Sequence, residues 1–100
     1  MLIVDDNSLN IFALQAQLQA FNVDSDIALN GKDAVQLVSD RIQSVFQGIH
    51  NKTYKLILLD YSMPQMDGPQ TAKAINAEIR RLSNEQSGSL YPQIVCLTAY

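Results

Sequence analysis

The spacing of apolar residues changes period several times along this chain. Residues 1–4 form an unbroken apolar run that stops at Asp5 and Asp6. A strand covered on both faces needs no polar alternation, so residues 2–5 read as a fully buried strand. Asn7 or Ser8 can then cap a helix. Ile11, Leu14, Leu18 and Phe21 recur at steps of three and four, with Gln15, Gln17 and Gln19 between them. This spacing predicts a helix with one apolar stripe, ending near Phe21. Residues 22–29 alternate instead, with Val23, Ser25 and Ile27 on one side and Asp24 and Asp26 on the other. Charges along one face suit an edge strand, where they discourage pairing with another chain.

Asn30-Gly31-Lys32-Asp33-Ala34 reads as a turn and helix start. Ala34, Val38, Ile42, Val45, Phe46 and Ile49 continue a helical stripe, which predicts a long second helix. Residues 48–54 are a polar interruption. Residues 55–60 then carry four apolar residues, Leu56, Ile57, Leu58 and Leu59, into Asp60. Pro69 stands where the first turn of a helix tolerates proline, and Ala72, Ile75, Ile79 and Leu82 supply the stripe of a third helix. Residues 83–92 read as a flexible loop, and residues 93–98 as a last strand. The order is βαβαβαβ. Short apolar strands alternating with amphipathic helices imply a parallel sheet covered on both faces.

Composition narrows the setting. One small domain fits 100 residues, and an apolar fraction of 47% supports a core. The net charge is −3 and no basic stretch stands out, which argues against a nucleic-acid surface in this segment. The longest apolar runs, such as residues 56–59, are far too short for a membrane span. No signal-peptide pattern precedes Asp5. The single cysteine, Cys96, has no internal partner and reads as a small apolar residue at a buried strand position. Together these features point to a reducing compartment, the cytoplasm. The sequon at Asn51, Lys52 and Thr53 carries little weight without a secretory signal.

In a parallel sheet every strand ends at the same rim, where open α/β sheets bind ligands. Asp5 and Asp6 after the first strand, Asp60 after the third and Thr98 after the fourth therefore converge. Clustered carboxylates resist ionising beside one another, and a divalent cation removes the conflict. Mg²⁺ prefers such oxygen ligands together with retained waters and phosphate oxygens. An ionised aspartate beside a metal can also attack phosphorus to form an acyl phosphate. Thr98 offers a hydroxyl to an added phosphoryl oxygen. Singly, each residue has a plainer reading. Asp5 or Asp6 alone suits a cap, and Asp67-Gly68 suits a turn. The joint placement favours a site.

The stretches at residues 2–7 (LIVDDN), 28–35 (ALNGKDAV), 56–68 (LILLDYSMPQMDG) and 94–99 (IVCLTA) resemble the receiver domains of two-component response regulators and hybrid histidine kinases. The resemblance spans the whole chain in order, and the block around Asp60 is its most specific part. It implies a flavodoxin-like α/β fold and a role in phosphorelay signalling. It implies that Asp60 is the phosphoacceptor, and that Asp5 and Asp6 position Mg²⁺, with Asp6 the direct ligand. Ser62 would give its backbone carbonyl to the metal, and Thr98 would be the switch hydroxyl. The phosphoryl donor would be a phosphohistidine on a histidine kinase or a histidine phosphotransfer protein. Asn7 after the double aspartate resembles hybrid-kinase receivers more than stand-alone ones.

Two departures accompany the resemblance. The connections before the third and fourth strands are longer than in compact receivers. The chain also ends at Tyr100, so a fourth helix, a fifth strand with its lysine and a fifth helix are expected but absent. The expected domain is thus a receiver truncated after the fourth strand, with that strand left as an apolar edge. Three other readings compete. A degenerate receiver would serve only as an interaction module. An aspartyl-phosphate hydrolase would want an acid two residues after the nucleophile, where Ser62 stands. A dinucleotide fold would want a glycine-rich loop after the first strand, which is missing. His50 reads as a solvated loop residue, Met63 and Met66 as loop packing, and Tyr54, Tyr61 and Tyr91 as surface or boundary residues.

Overall fold

A computed structural model describes residues 1–83 and 91–97. The elements run β1 (Leu2–Val4), α1 (Ser8–Gln19), β2 (Asp26–Ala28), α2 (Gly31–Phe46), β3 (Leu56–Asp60), α3 (Gly68–Ser83) and β4 (Gln93–Leu97). All strand pairs are parallel and the sheet order is β2-β1-β3-β4. This is the α/β architecture that the periodicity implies. The expected flexible loop falls largely on residues 84–90, and Thr98 and Tyr100 also lie outside the described residues.

Strand alternation splits the sheet into two faces. Leu2, Val4, Ala28, Ile57 and Leu59 point to one side and join Ala34, Val38 and Ile42 of α2 and Ile75 and Ile79 of α3 in a single core. Ser39 of α2 adds a polar tie there, its hydroxyl donating to Glu78 Oε1 of α3 at 3.2 Å. Ile3 is buried on the opposite face, as is Ile11 of α1. Asn7 caps α1, its side-chain oxygen accepting the Leu9 N–H at 2.9 Å.

Four expectations need correction. The α1 stripe is fully buried only at Ile11; Leu14 and Leu18 are half-buried, and Phe21 is 79% exposed. Phe21 lies past the helix end, where Asn22 at φ 59 reverses the chain and the Val23 N–H returns to the Leu18 carbonyl. A left-handed residue there is a common way to close a helix. The second helix likewise stops at Phe46, and Gly48 at φ 78 turns the chain so that Ile49 is 69% exposed. Cys96 is exposed, because β4 is the sheet edge among the described residues and has β3 on one side only.

The fourth correction is Tyr54, which is only 6% exposed and belongs to the core. Its hydroxyl donates to Asp26 Oδ2 at 2.5 Å, and the Arg41 guanidinium lies 4.6 Å from its ring centre while pairing with the same carboxylate. Burial, then the Asp26 carboxylate, push the Tyr54 hydroxyl well above the usual phenol range. The edge charge expected on β2 is therefore present at Asp26, but it is engaged by α2 and the segment before β3.

Candidate functional site

The strand register builds the site. Val4 pairs with Leu59 across β1 and β3, so the next residues along, Asp5 and Asp60, leave the sheet side by side. Ladder bonding continues past the strands: the Asp5 N–H donates to the Ala28 carbonyl at 3.1 Å, and the Tyr61 N–H to the Leu97 carbonyl at 2.9 Å. These bonds hold both carboxylate-bearing turns against the sheet.

Oxygen atoms of Asp5, Asp6 and Asp60 lie within 4.8 Å of one another. Asp5 and Asp60 are half-buried and Asp6 is exposed. Asp5 is already engaged, with Oδ1 accepting the Asn7 N–H at 2.9 Å and Oδ2 facing the Asn10 amide at 3.4 Å. Partial burial raises the Asp60 pKa above the ordinary carboxylate value, and the neighbouring Asp5 and Asp6 raise it further against a hydrogen bond from the Ser62 backbone. Three converging carboxylates, made of oxygen donors only, suit a hard divalent cation such as Mg²⁺. A groove of about 220 Å³ opens beside it, lined by Ile3, Asn10, Leu14, Leu58 and Leu97 as well as Asp5 and Asp60.

Of the residues singled out from the sequence, Asp5, Asp6 and Asp60 come together, and exposed Ser62 follows Asp60 in the adjoining loop. Thr98 lies outside the described residues, although β4 does end at this rim, with Leu97 paired to Asp60. His50 is exposed, as expected, and its Nδ1 lies 2.8 Å from Ser44 Oγ. Two supporting residues escaped the sequence reading. Asn10 stands three residues after the Asn7 cap, which puts it above the acidic turn. Gly68 reads from the sequence as part of a turn, with no sign of its contact with Asp60. A Cβ there would fall 2.7 Å from the Asp60 carbonyl oxygen. Its N–H also donates to the Tyr61 carbonyl at 2.8 Å, so α3 begins in direct backbone contact with the acceptor turn.

Comparison with known proteins agrees with this fold. The receiver domain of the histidine kinase CKI1 from Arabidopsis thaliana, solved with Mg²⁺ and BeF3-, superposes with a TM-score of 0.81 at 26% identity, covering 99% of this chain and 64% of that one. The autoinducer 2 sensor kinase/phosphatase LuxQ of Vibrio harveyi is 35% identical over 80 residues, which are 80% of this chain and 8% of the kinase. The two-component response regulator ORR42 of Oryza sativa subsp. japonica is 34% identical over 76 residues, 76% of this chain and 50% of the regulator. The chain thus spans half or less of the length of these two relatives. Residues 1–99 match the family described as the response regulator receiver domain. With that match, the parallel β2-β1-β3-β4 sheet and the acidic cluster at its rim, the chain belongs to the receiver-domain family of two-component signalling.

Proposed function

We propose that this receiver domain accepts a phosphoryl group on Asp60 in a Mg²⁺-dependent phosphorelay, in the cytoplasm. The observation that carries this reading is the convergence of Asp5, Asp6 and Asp60 within 4.8 Å at the end of β1 and β3. Asp6 and Asp60 would hold the ion directly, Asp5 through water, and the Ser62 carbonyl would complete the protein's share. The ion would supply positive charge against the carboxylates and the incoming phosphoryl oxygens.

The donor is a phosphohistidine on a histidine kinase or a histidine phosphotransfer protein. An Asp60 carboxylate oxygen forms the new P–O bond while the P–N bond to the imidazole breaks. The imidazole leaves with that bonding pair and takes up a proton. The Ser62 N–H helps keep Asp60 ionised. Thr98, just past the β4 rim, would then engage the acyl phosphate. The domain in this reading is a phosphoacceptor and turns over no separate substrate. No described helix is long and apolar enough to cross a membrane.

Acetyl phosphate with Mg²⁺ tests the proposal. One acid-stable, base-labile phosphate per chain is expected, with none taken up when EDTA replaces Mg²⁺ and none taken up by Asp60→Asn. Full labelling of Asp60→Asn would refute the assignment.

A further inference from the structure

Between Asp60 and α3 the backbone makes a tight bend. The Met66 N–H donates to the Pro64 carbonyl at 2.8 Å, a bond spanning two residues. Gln65 between them sits at φ 71. A γ-turn with positive φ at its centre is rare and strained, and persists only where its surroundings hold it.

The partner lies at the start of α2. A Cβ placed on buried Gly31 would stand 2.3 Å from Thr71 Oγ1 and 2.9 Å from Met66 Sδ. Thr71 is 0% exposed, and its hydroxyl has no hydrogen-bond partner among the described residues. A buried hydroxyl without a partner is unfavourable. Gly31, Thr71 and Met66 therefore meet in one notch that admits an added Cβ only if Thr71 or Met66 shifts. The ends of the acceptor loop are pinned by backbone bonds, Tyr61 to Leu97 and Gly68 to Tyr61. Its middle is anchored through the sulfur side chains of Met63 and Met66.

We propose that Gly31 and Thr71 are positioning residues for the acceptor site: their notch seats Met66 and thereby fixes the loop that presents Ser62 beside Asp60. Neither residue reaches the carboxylates. A displaced Met66 would shift the strained bend at Gln65 and, through it, the backbone at Ser62. The inference rests on the reading of Asp60 as a Mg²⁺-dependent phosphoacceptor.

The test is a Mg²⁺ titration of the whole chain, followed by the amide resonances of residues 60–62, beside acetyl-phosphate labelling. Loss of outer-shell support commonly weakens a metal site by tenfold or more, so Gly31→Ala should raise the Mg²⁺ Kd about tenfold. Adding Thr71→Ala removes the nearer of the two side chains that the new methyl meets and lets the methyl shift away from Met66 Sδ, so the double variant should recover much of the lost affinity. Met66→Ala, which introduces no clash, should also weaken Mg²⁺ binding and serves if Gly31→Ala does not fold. A lower melting temperature with unchanged Mg²⁺ affinity in Gly31→Ala or Met66→Ala would overturn the proposal. So would a double variant as weak as the single one. Wild-type protein that fails to bind Mg²⁺ would overturn the acceptor reading and this inference together. Wild-type binding that is lost in Asp60→Asn but insensitive to Gly31→Ala would overturn only this inference.

Discussion

Gly68 and Asp60 meet backbone to backbone, and an added Cβ on Gly68 would stand 2.7 Å from the Asp60 carbonyl oxygen and 2.9 Å from Tyr61 Cα. No side-chain rotation can relieve a clash with main-chain atoms. Gly68→Ala must therefore push α3 away from the acceptor turn. Overpacking of this kind costs about 1–3 kcal/mol. Urea unfolding should report a midpoint lowered accordingly, with the Mg²⁺ titration weakened as well. A Gly68→Ala protein as stable as wild type would show that the helix start can slide freely.

Asp5 and Asp6 are expected to respond differently to truncation. Asp5 accepts the Asn7 N–H at the α1 cap, whereas Asp6 is exposed and its removal chiefly relieves repulsion of Asp60. Asp5→Ala should destabilise the metal-free chain by up to about 1 kcal/mol through its lost hydrogen bond, less the repulsion of Asp60 that it also removes. Asp6→Ala should leave it unchanged or raise its melting temperature, while weakening Mg²⁺ binding. Thermal unfolding in EDTA separates the two, and equal losses in both variants would contradict the assignment.

Much of this site was legible from local pattern. The runs at residues 1–4 and 56–59 end in carboxylates, and parallel pairing alone brings strand ends to one rim. Tyr54 was not legible, because its neighbours Thr53 and Lys55 are polar and its burial depends on Arg41 and Asp26, distant in sequence. The exposure of Cys96 depends on which strands flank β4, a property of the sheet and not of the strand. The Gly31–Thr71 approach joins positions on two helices, and no periodicity within either helix marks it.

The Tyr54–Asp26 bond gives an alkaline prediction. Tyr54 holds its proton more tightly folded than unfolded, because burial and the adjacent carboxylate disfavour the phenolate. Its contribution is complete below the ordinary phenol pKa of about 10 and is lost as pH rises from there toward the folded value. Tyr54→Phe should remove that part of the alkaline slope. At neutral pH it should cost on the order of 1 kcal/mol, the usual scale for one hydrogen bond, since the Asp26 side chain is 50% exposed and water can replace the hydroxyl. Denaturant midpoints measured from neutral to strongly alkaline pH test both statements. An identical slope in wild type and Tyr54→Phe would remove Tyr54 from the account.

Asp60 shows the same direction of linkage at mild acidity. Partial burial, followed by Asp5 and Asp6, raises its pKa in the folded chain. The metal-free fold therefore binds a proton that the unfolded chain has already released. The stabilising contribution of protonated Asp60 is complete below the ordinary carboxylate pKa of about 4, and it is lost as pH rises through the raised folded value. In EDTA the melting temperature of wild type should fall relative to Asp60→Asn across that window, because the amide has no charge to acquire. Mg²⁺ reverses the comparison. Through the window the carboxylate ionises and can bind the cation, so the rise in wild-type melting temperature on adding Mg²⁺ should grow with pH and level off above it. Asp60→Asn should gain much less. Below the window proton and metal compete for the same oxygens, and the Mg²⁺ effect should vanish in both proteins. A Mg²⁺-induced shift of equal size in Asp60→Asn, or one independent of pH, would show that the cation binds without Asp60.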